Sequence, residues 1–279
     1  MNIQEIKVSE CAAFQDNPFQ VRDDEGMELL VQSIKEFGVM TPVVVRPVKE
    51  GGYEIVSGHR RIHACRRAGI EEIPALVRDM ERDSAVIFMV DSNIQREGLL
   101  PSEKAFAYKM KVEALRHQGK RSVQPGQKSS RGAVAENAGE SETQVQRYIR
   151  LTYLEKPLLA LVDEGRIAFT PAVELSYLNQ REQRDLLETI ESEDATPSLS
   201  QAIRMRKLSE AGQLDMDGIF HIMSEVKGNQ KEYIKLSSDK VGKYLGKLRT
   251  PQQKEDFILK ALAFYARHLE RQRSSRDGR

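Results

Sequence analysis

The apolar positions of the chain change period several times, and each change marks an element. Across residues 26–37, Met27, Leu30, Ile34 and Phe37 recur at intervals of three or four, the spacing of one helix face, and Gly38 ends the run. Residues 1–9 place Ile3, Ile6 and Val8 in a pattern suited to a short edge strand. Residues 42–46 form a β-branched run typical of a buried strand, 49–52 a hairpin turn, and 53–56 the returning strand. Residues 73–77 read as another strand. Helical spacing returns over 83–93, with Ala85, Val86, Phe88, Met89 and Val90 inward, and over about 100–118. The stripe of the latter is Ala105, Tyr108, Met110, Val112 and Leu115. Residues 118–130 are rich in Gly, Ser and Gln and read as a basic loop. Beyond Leu151, helices are expected over 157–162, 171–178, 182–190 and 198–211, and a boundary over 212–217. A strand is expected at 234–237, followed by 239–248. Thr250-Pro251 then starts a last helix with Phe257, Ile258, Ala261, Leu262, Tyr265 and Leu269 on one face. That helix runs into Arg267, Arg271, Arg273, Arg276 and Arg279. Its apolar face suits either the core of a small domain or self-association. The pattern predicts an α+β protein with a small mixed domain over 1–99, an all-α domain over 100–190 and a mainly helical domain over 191–279.

The most informative stretch is 131–151. A first short helix over 132–138 carries the small apolar face Val134, Ala135 and Ala138. Gly139 follows, where only glycine takes a left-handed turn without steric cost. Ser141 with Gln144 three residues on is a capping-box signature, so a second helix begins there. Its buried stripe is Val145, Tyr148 or Ile149, and Leu151 or Thr152. Outward stand Glu142, Thr143, Gln144, Gln146, Arg147 and Arg150, residue types that read base edges or bond phosphates. The whole predicts a helix-turn-helix that contacts double-stranded DNA through these side chains together with Arg131 and Ser141. Charge agrees. Residues 100–154 hold ten Lys and Arg against five Glu, a net of +5, while the whole chain carries only +1.

Composition narrows the alternatives. With 39% hydrophobic and 30% charged residues and no apolar run near 20 residues, a membrane span is not expected. Residues 1–10 lack a secretion pattern, so a cytoplasmic setting is expected. Cys11 and Cys65 lie far apart and read as reduced thiols. The absence of tryptophan argues against an aromatic platform for stacking bases. A second chemical signal sits at residues 57–61. There a strand ends in Ser57-Gly58 and a helix opens with Arg60 and Arg61, an arrangement that attracts phosphates. His59 and His63 stand at i, i+4, but no third ligand lies nearby and no metal site is expected between them.

At these residues the chain resembles the ParB family of partition proteins. Residues 38–46 resemble the family's cytidine-side motif, with Gly38, Pro42, Val45 and Arg46 in place. Residues 58–64 resemble its phosphate motif, with Gly58, Arg60, Arg61 and Ala64 matching. Asn93, Gln95, Arg96, Pro101 and Glu103 resemble the stretch that follows. The resemblance implies a ParB/sulfiredoxin-like first domain that binds CTP through Thr41, Arg46, Ser57, Gly58, His59, Arg60, Arg61, Asn93 and Arg96. It also implies Mg²⁺ held with Asn93, a homodimer gated as a sliding clamp on a palindromic site, a ParA-type ATPase as partner in chromosome or plasmid partition, and association with nucleoid or plasmid. Three departures stand out. His59 and Ser92 occupy positions where the family has Glu, and His63 one where it has Arg. The missing carboxylate at 92 leaves weak or absent CTP turnover as the expectation. A helix-turn-helix regulator of a mobile element that has lost the nucleotide switch is the alternative. A sulfiredoxin-like enzyme is disfavoured, since the phosphate motif carries His59 and no cysteine.

Overall fold

The computed structural model describes residues 3–49, 51–121, 129–225, 244–245 and 250–276. Two compact units emerge, Met1–Glu225 and Val226–Arg279.

The first unit begins with β1 (Ile3–Lys7), a 3₁₀ turn and the two-residue β2 (Cys11–Ala12). Then come α1 (Glu25–Phe37), β3 (Val43–Pro47), β4 (Tyr53–Ser57), α2 (His59–Ala68) and β5 (Glu72–Val77). The strands form one sheet in the order β1-β5-β3-β4-β2. The β1–β5 and β3–β4 pairs are antiparallel, while β3–β5 and β2–β4 are parallel. As expected, β1 is an edge. The short β2 went unseen in the sequence because two residues carry no period.

Alternation along β3 shows how the sheet is covered. Val43 and Val45 are fully buried in one core, with Met27, Val31 and Ile34 of α1 and Ile62 and Cys65 of α2. Val44 points the other way and packs with Val56, Phe14 and the helices α3 (Arg82–Asn93) and α4 (Pro101–Arg121). The buried face of α1 is Met27–Val31–Ile34. Phe37, expected on it, is 64% exposed, because the last turn of α1 runs past the edge of that core.

α4 is the axis of the unit. Ala107 and Ala114 pack in the α3 core, Tyr108 and Val112 pack against α5 (Ser130–Ala138) and α6 (Glu142–Leu151), and Ala105 joins a third core. A helix with three neighbours has no single polar face, which is why its five-residue sequence stripe omitted Ala107 and Ala114. The third core contains α7 (Lys156–Asp163), α8 (Phe169–Leu175), α9 (Gln180–Glu193), α10 (Leu199–Glu210) and α11 (Met216–Ser224). Its buried residues run without a break from Leu151 through Ile190 to Met205 and Met223, across position 190 and across 212–217, where the sequence pattern suggested boundaries. Residues 118–121 lie in α4; the rest of the expected basic loop is mostly outside the described residues.

Of the second unit, residues 244–245 and the backbone of α12 (Pro251–Arg276) with part of its side chains are described. Its Thr250 hydroxyl accepts the Gln253 N–H at 3.2 Å, the expected cap. Phe257, Leu262 and Tyr265 are exposed, and the side chain of Leu269 lies outside the described residues. The strand expected at 234–237 and most of 239–248 also fall outside them. No described helix is long and apolar enough to cross a membrane.

Candidate functional site

Two places in the first unit carry chemistry. One is a cavity of about 230 Å³ lined by Asn17, Phe19, Gln20, Val21, Ser57, Gly58, His59, Arg60, Arg61, Ser92, Asn93 and Arg96. Three segments far apart in sequence meet there: the loop before α1, the β4–α2 junction and the end of α3.

Gly58 makes the junction possible. Its φ is +104°, and a Cβ there would lie 2.6 Å from Val43 Cγ1. Only glycine lets β4 pass directly into α2, whose first residues line the cavity. Arg61 is committed to the scaffold. Its guanidinium donates to the carbonyls of Thr41 and Pro42, at 2.5 and 2.7 Å, and burial pushes its pKa down. Arg60 pairs with Asp24 at 3.2 Å, which holds that carboxyl below its usual range. His59 Nε2 accepts the Phe14 N–H at 3.4 Å, and burial drives the ring's pKa down to about 4, so it is neutral at physiological pH.

The remaining candidates divide. Asn93 donates to the Met89 carbonyl at 2.8 Å and to Ser92 Oγ at 3.2 Å. Thr41 reaches the site only through its carbonyl on Arg61. Arg46 is not in the lining: its Nε donates to Glu54 at 2.6 Å and its guanidinium lies 5.9 Å from the Phe14 ring centre. The sequence reading omitted Asn17, Phe19, Gln20 and Val21. Gln20 is placed by a buried carboxylate, since Glu103 takes both the Gln20 N–H and the Leu100 N–H at 2.8 Å each. The only sequence clue to these four was the Asn17-Pro18 turn.

The donor set suits phosphate oxygens: helix N–H groups beside Gly58, with Arg60 and Arg96 as cations. A protein-held Mg²⁺ does not fit. The lining contains no carboxylate, and no metal-binding cluster of His, Cys, Asp or Glu exists among the described residues. Asp91, the nearest carboxylate in sequence to Ser92, is bound by Lys111 and, at 3.1 Å, by Asn137 Nδ2. His63 pairs with Asp23 at 2.9 Å, away from His59. Cys11 and Cys65 are free and buried, and burial raises the pKa of both thiols.

The other place is the α5–α6 pair. Ser129 Oγ caps α5 by accepting from Gly132 N at 2.9 Å, and Gly139 closes it at φ +67°. Ser141 Oγ accepts from Gln144 N at 3.1 Å, one half of a capping box. Gln144 does not return the bond, because its Oε1 accepts from Arg147 Nη1 at 3.3 Å. Val145 and Leu151 are buried, with Tyr148 and Ile149 half-buried beside them. Glu142 and Thr143 are exposed, and Glu142 also takes the Ser129 hydroxyl at 3.1 Å. Arg131 donates to Gln146 Oε1 at 2.9 Å. Arg150 differs from its neighbours. It bonds the Ser176 carbonyl and hydroxyl and lies against the Tyr153 and Tyr177 rings, at 4.5 and 3.9 Å from their centres.

Comparison with known proteins gives this geometry a lineage. Residues 1–94 match the model of the ParB N-terminal domain. The chromosome-partitioning protein Spo0J of Thermus thermophilus is 31% identical over 198 residues, covering 70% of this chain and 68% of that protein. The chain belongs to the ParB family. Among solved structures, ParB of Caulobacter crescentus complexed to the centromeric parS site is similar at 23% identity and a TM-score of 0.44. That match covers 73% of this chain and 98% of the other. The same Caulobacter protein complexed with CTP-γ-S is similar at 26% identity and a TM-score of 0.33, over 68% and 99%. This ParB-family chain spans only 54–62% of the length of several curated partition proteins that it matches.

Proposed function

We propose that this chain is a DNA-binding partition protein whose α5–α6 pair acts as a helix-turn-helix on a palindromic duplex and whose cavity binds CTP. The supporting observation is the joint attachment of both places to α4. Glu103 at its start holds the cavity loop, and Tyr108 and Val112 farther along carry α5 and α6. Lys111 and Asn137 then tie the end of α3 to α4 and α5 through Asp91. A ligand that moves α3 therefore moves the DNA-reading pair. Functionally, 1–99 serves the nucleotide, 100–190 the duplex and 191–279 the assembly of a dimer through the exposed face of α12. In that dimer CTP gates a clamp, and a ParA-type ATPase is the partner.

Within this reading Gly58, Arg60 and Arg96 hold phosphates, Ser57 and Asn93 line them, and His59, Arg61, Thr41 and Arg46 shape the pocket. Mg²⁺ arrives bound to the phosphates. With Ser92 in place of a carboxylate and Asp91 already engaged, turnover is slow and CTP acts by occupancy. Calorimetry with CTP, ATP and GTP, with Mg²⁺ and a palindromic DNA pool, tests the proposal. Selective CTP binding lost in Arg60→Ala is the expected result. DNA binding without nucleotide binding leaves a plain helix-turn-helix regulator.

A further inference from the structure

The two arginines of α6 are held differently. Arg150 spends itself on Ser176 and two tyrosine rings. Arg147 makes as many hydrogen bonds but lies against a single ring: Nη2 donates to Thr170 Oγ1 at 2.9 Å and Nη1 to Gln144 Oε1 at 3.3 Å. Its guanidinium lies 4.9 Å from the centre of the Phe169 ring, and that ring packs on Tyr148 of α6 at 4.7 Å. Tyr148 in turn meets Tyr108 of α4 edge-on at 5.6 Å. A chain of three aromatic rings thus backs the guanidinium, and two acceptors, Thr170 Oγ1 and Gln144 Oε1, orient it.

A guanidinium carries five donors, and these two bonds use two of them. Reading a guanine edge takes two parallel N–H groups in a set orientation, and a free arginine side chain has much rotamer entropy to lose. Holding it beforehand removes part of that cost for the matching base and leaves mismatched bases with unpaired groups. Thr170 belongs to the first turn of α8 and is half-buried, so it is not itself an outward residue of α6.

We infer that Thr170 is a positioning residue for Arg147, through which it determines base preference at the α6 face. The inference rests on the proposed DNA-reading role of α6. Thr170→Val keeps the shape and removes the acceptor, while Thr170→Ser keeps the acceptor.

The experiment uses the full chain and a palindromic duplex that the wild-type chain selects from a randomised pool. Affinity is measured for that duplex, for its single-base variants and for an unrelated duplex, over a salt series. Thr170→Val is expected to reduce discrimination at one base pair per half-site by about 5-fold or more, with unrelated-duplex affinity and salt slope unchanged. Thr170→Ser should restore discrimination, and Arg147→Ala should abolish it with no further loss in the double variant Arg147→Ala/Thr170→Val. Thr170→Ala, favoured by helix propensity, is the second variant should valine impair folding. Intact discrimination in Thr170→Val, with loss in Arg147→Ala, overturns the positioning role and leaves the DNA-reading role standing. Intact discrimination in Arg147→Ala overturns both. Discrimination that falls only in step with melting temperature in the valine and alanine variants assigns Thr170 to packing and also overturns the inference.

Discussion

Under the proposed function, the cavity and the α5–α6 pair solve the same problem, presenting donors to an anionic partner, by opposite constructions. The pair is built from consecutive residues: Ser129 caps α5, Gly139 turns the chain, Ser141 caps α6, and the exposed face follows within one turn. The cavity is built from three separated segments, and its geometry is set by bonds that span 19 to 83 positions of sequence, such as Arg61 to Pro42 and Glu103 to Gln20. Local construction ties the partner surface to secondary structure. Long-range construction ties it to the fold as a whole. A substitution at the cavity should therefore disturb the fold and binding together, and one at the pair should act on its own turn and leave cavity occupancy unchanged.

The largest expected effect lies at the joint between the two regions. Lys111 is buried, with its side chain 5% exposed, and Asp91 is the carboxylate that pairs with it. Asp91→Ala leaves that ammonium buried without its partner, which costs about 3 kcal/mol or more. Lys111→Met removes the charge with its stem retained and should cost far less. Urea denaturation of the two variants measures the difference. Equal losses would mean that the joint is held by packing alone and not by its ion pair.

How much was legible follows the same division. Much of what neighbours in sequence fix could be read: α6 and the Ser141 half of its cap, the buried Val145 and Leu151, the exposed Thr143, and the β4–α2 junction at Gly58, though not the Ser129 cap that starts α5. What required distant partners could not. Arg46 matched a family motif, yet its carboxylate partner Glu54 stands on the adjacent strand and draws it out of the cavity lining. Arg150 has the composition of a DNA contact, but Ser176 and Tyr177, 26 and 27 residues away, engage it. Asn17 to Val21 carry no period at all, and only the Glu103 carboxylate brings their backbone to the site. The helices after 190 were read correctly as helices, while their membership in the core of α7 and α8 depends on which faces meet.

A smaller effect should appear at His59, on the cavity side. The folded pKa of about 4 lies below the ordinary 6.5, so between these values the unfolded chain binds the extra proton. The stability contributed by the neutral ring is complete above pH 6.5, declines as pH falls below it, and is lost by about pH 4. The full shift corresponds to roughly 3 kcal/mol, and partial solvent contact of the ring lowers this to on the order of 2 kcal/mol. Unfolding free energy measured from pH 7.5 to 4.5 should fall more steeply in wild type than in His59→Gln. Identical slopes would show that the ring is not desolvated and that this wall of the cavity is open.

Ser141→Ala carries the smallest expected effect and is the sharpest test of local construction. The hydroxyl accepts one N–H, from Gln144, and Gln144 returns nothing to the cap, so about 1 kcal/mol should be lost, the value of a single N-cap bond. Because α6 is also held by Val145 and Leu151, the helix persists. Fraying is confined to its first turn, which hydrogen exchange at the Gln144 amide should report as faster opening. The same turn presents Thr143, so duplex affinity should fall by a few-fold at constant cavity occupancy. A loss of nucleotide binding in this variant would mean that the pair and the cavity share one cooperative unit down to a single hydroxyl. α4 would then transmit local fraying over its whole length, which three separately packed cores along that helix argue against.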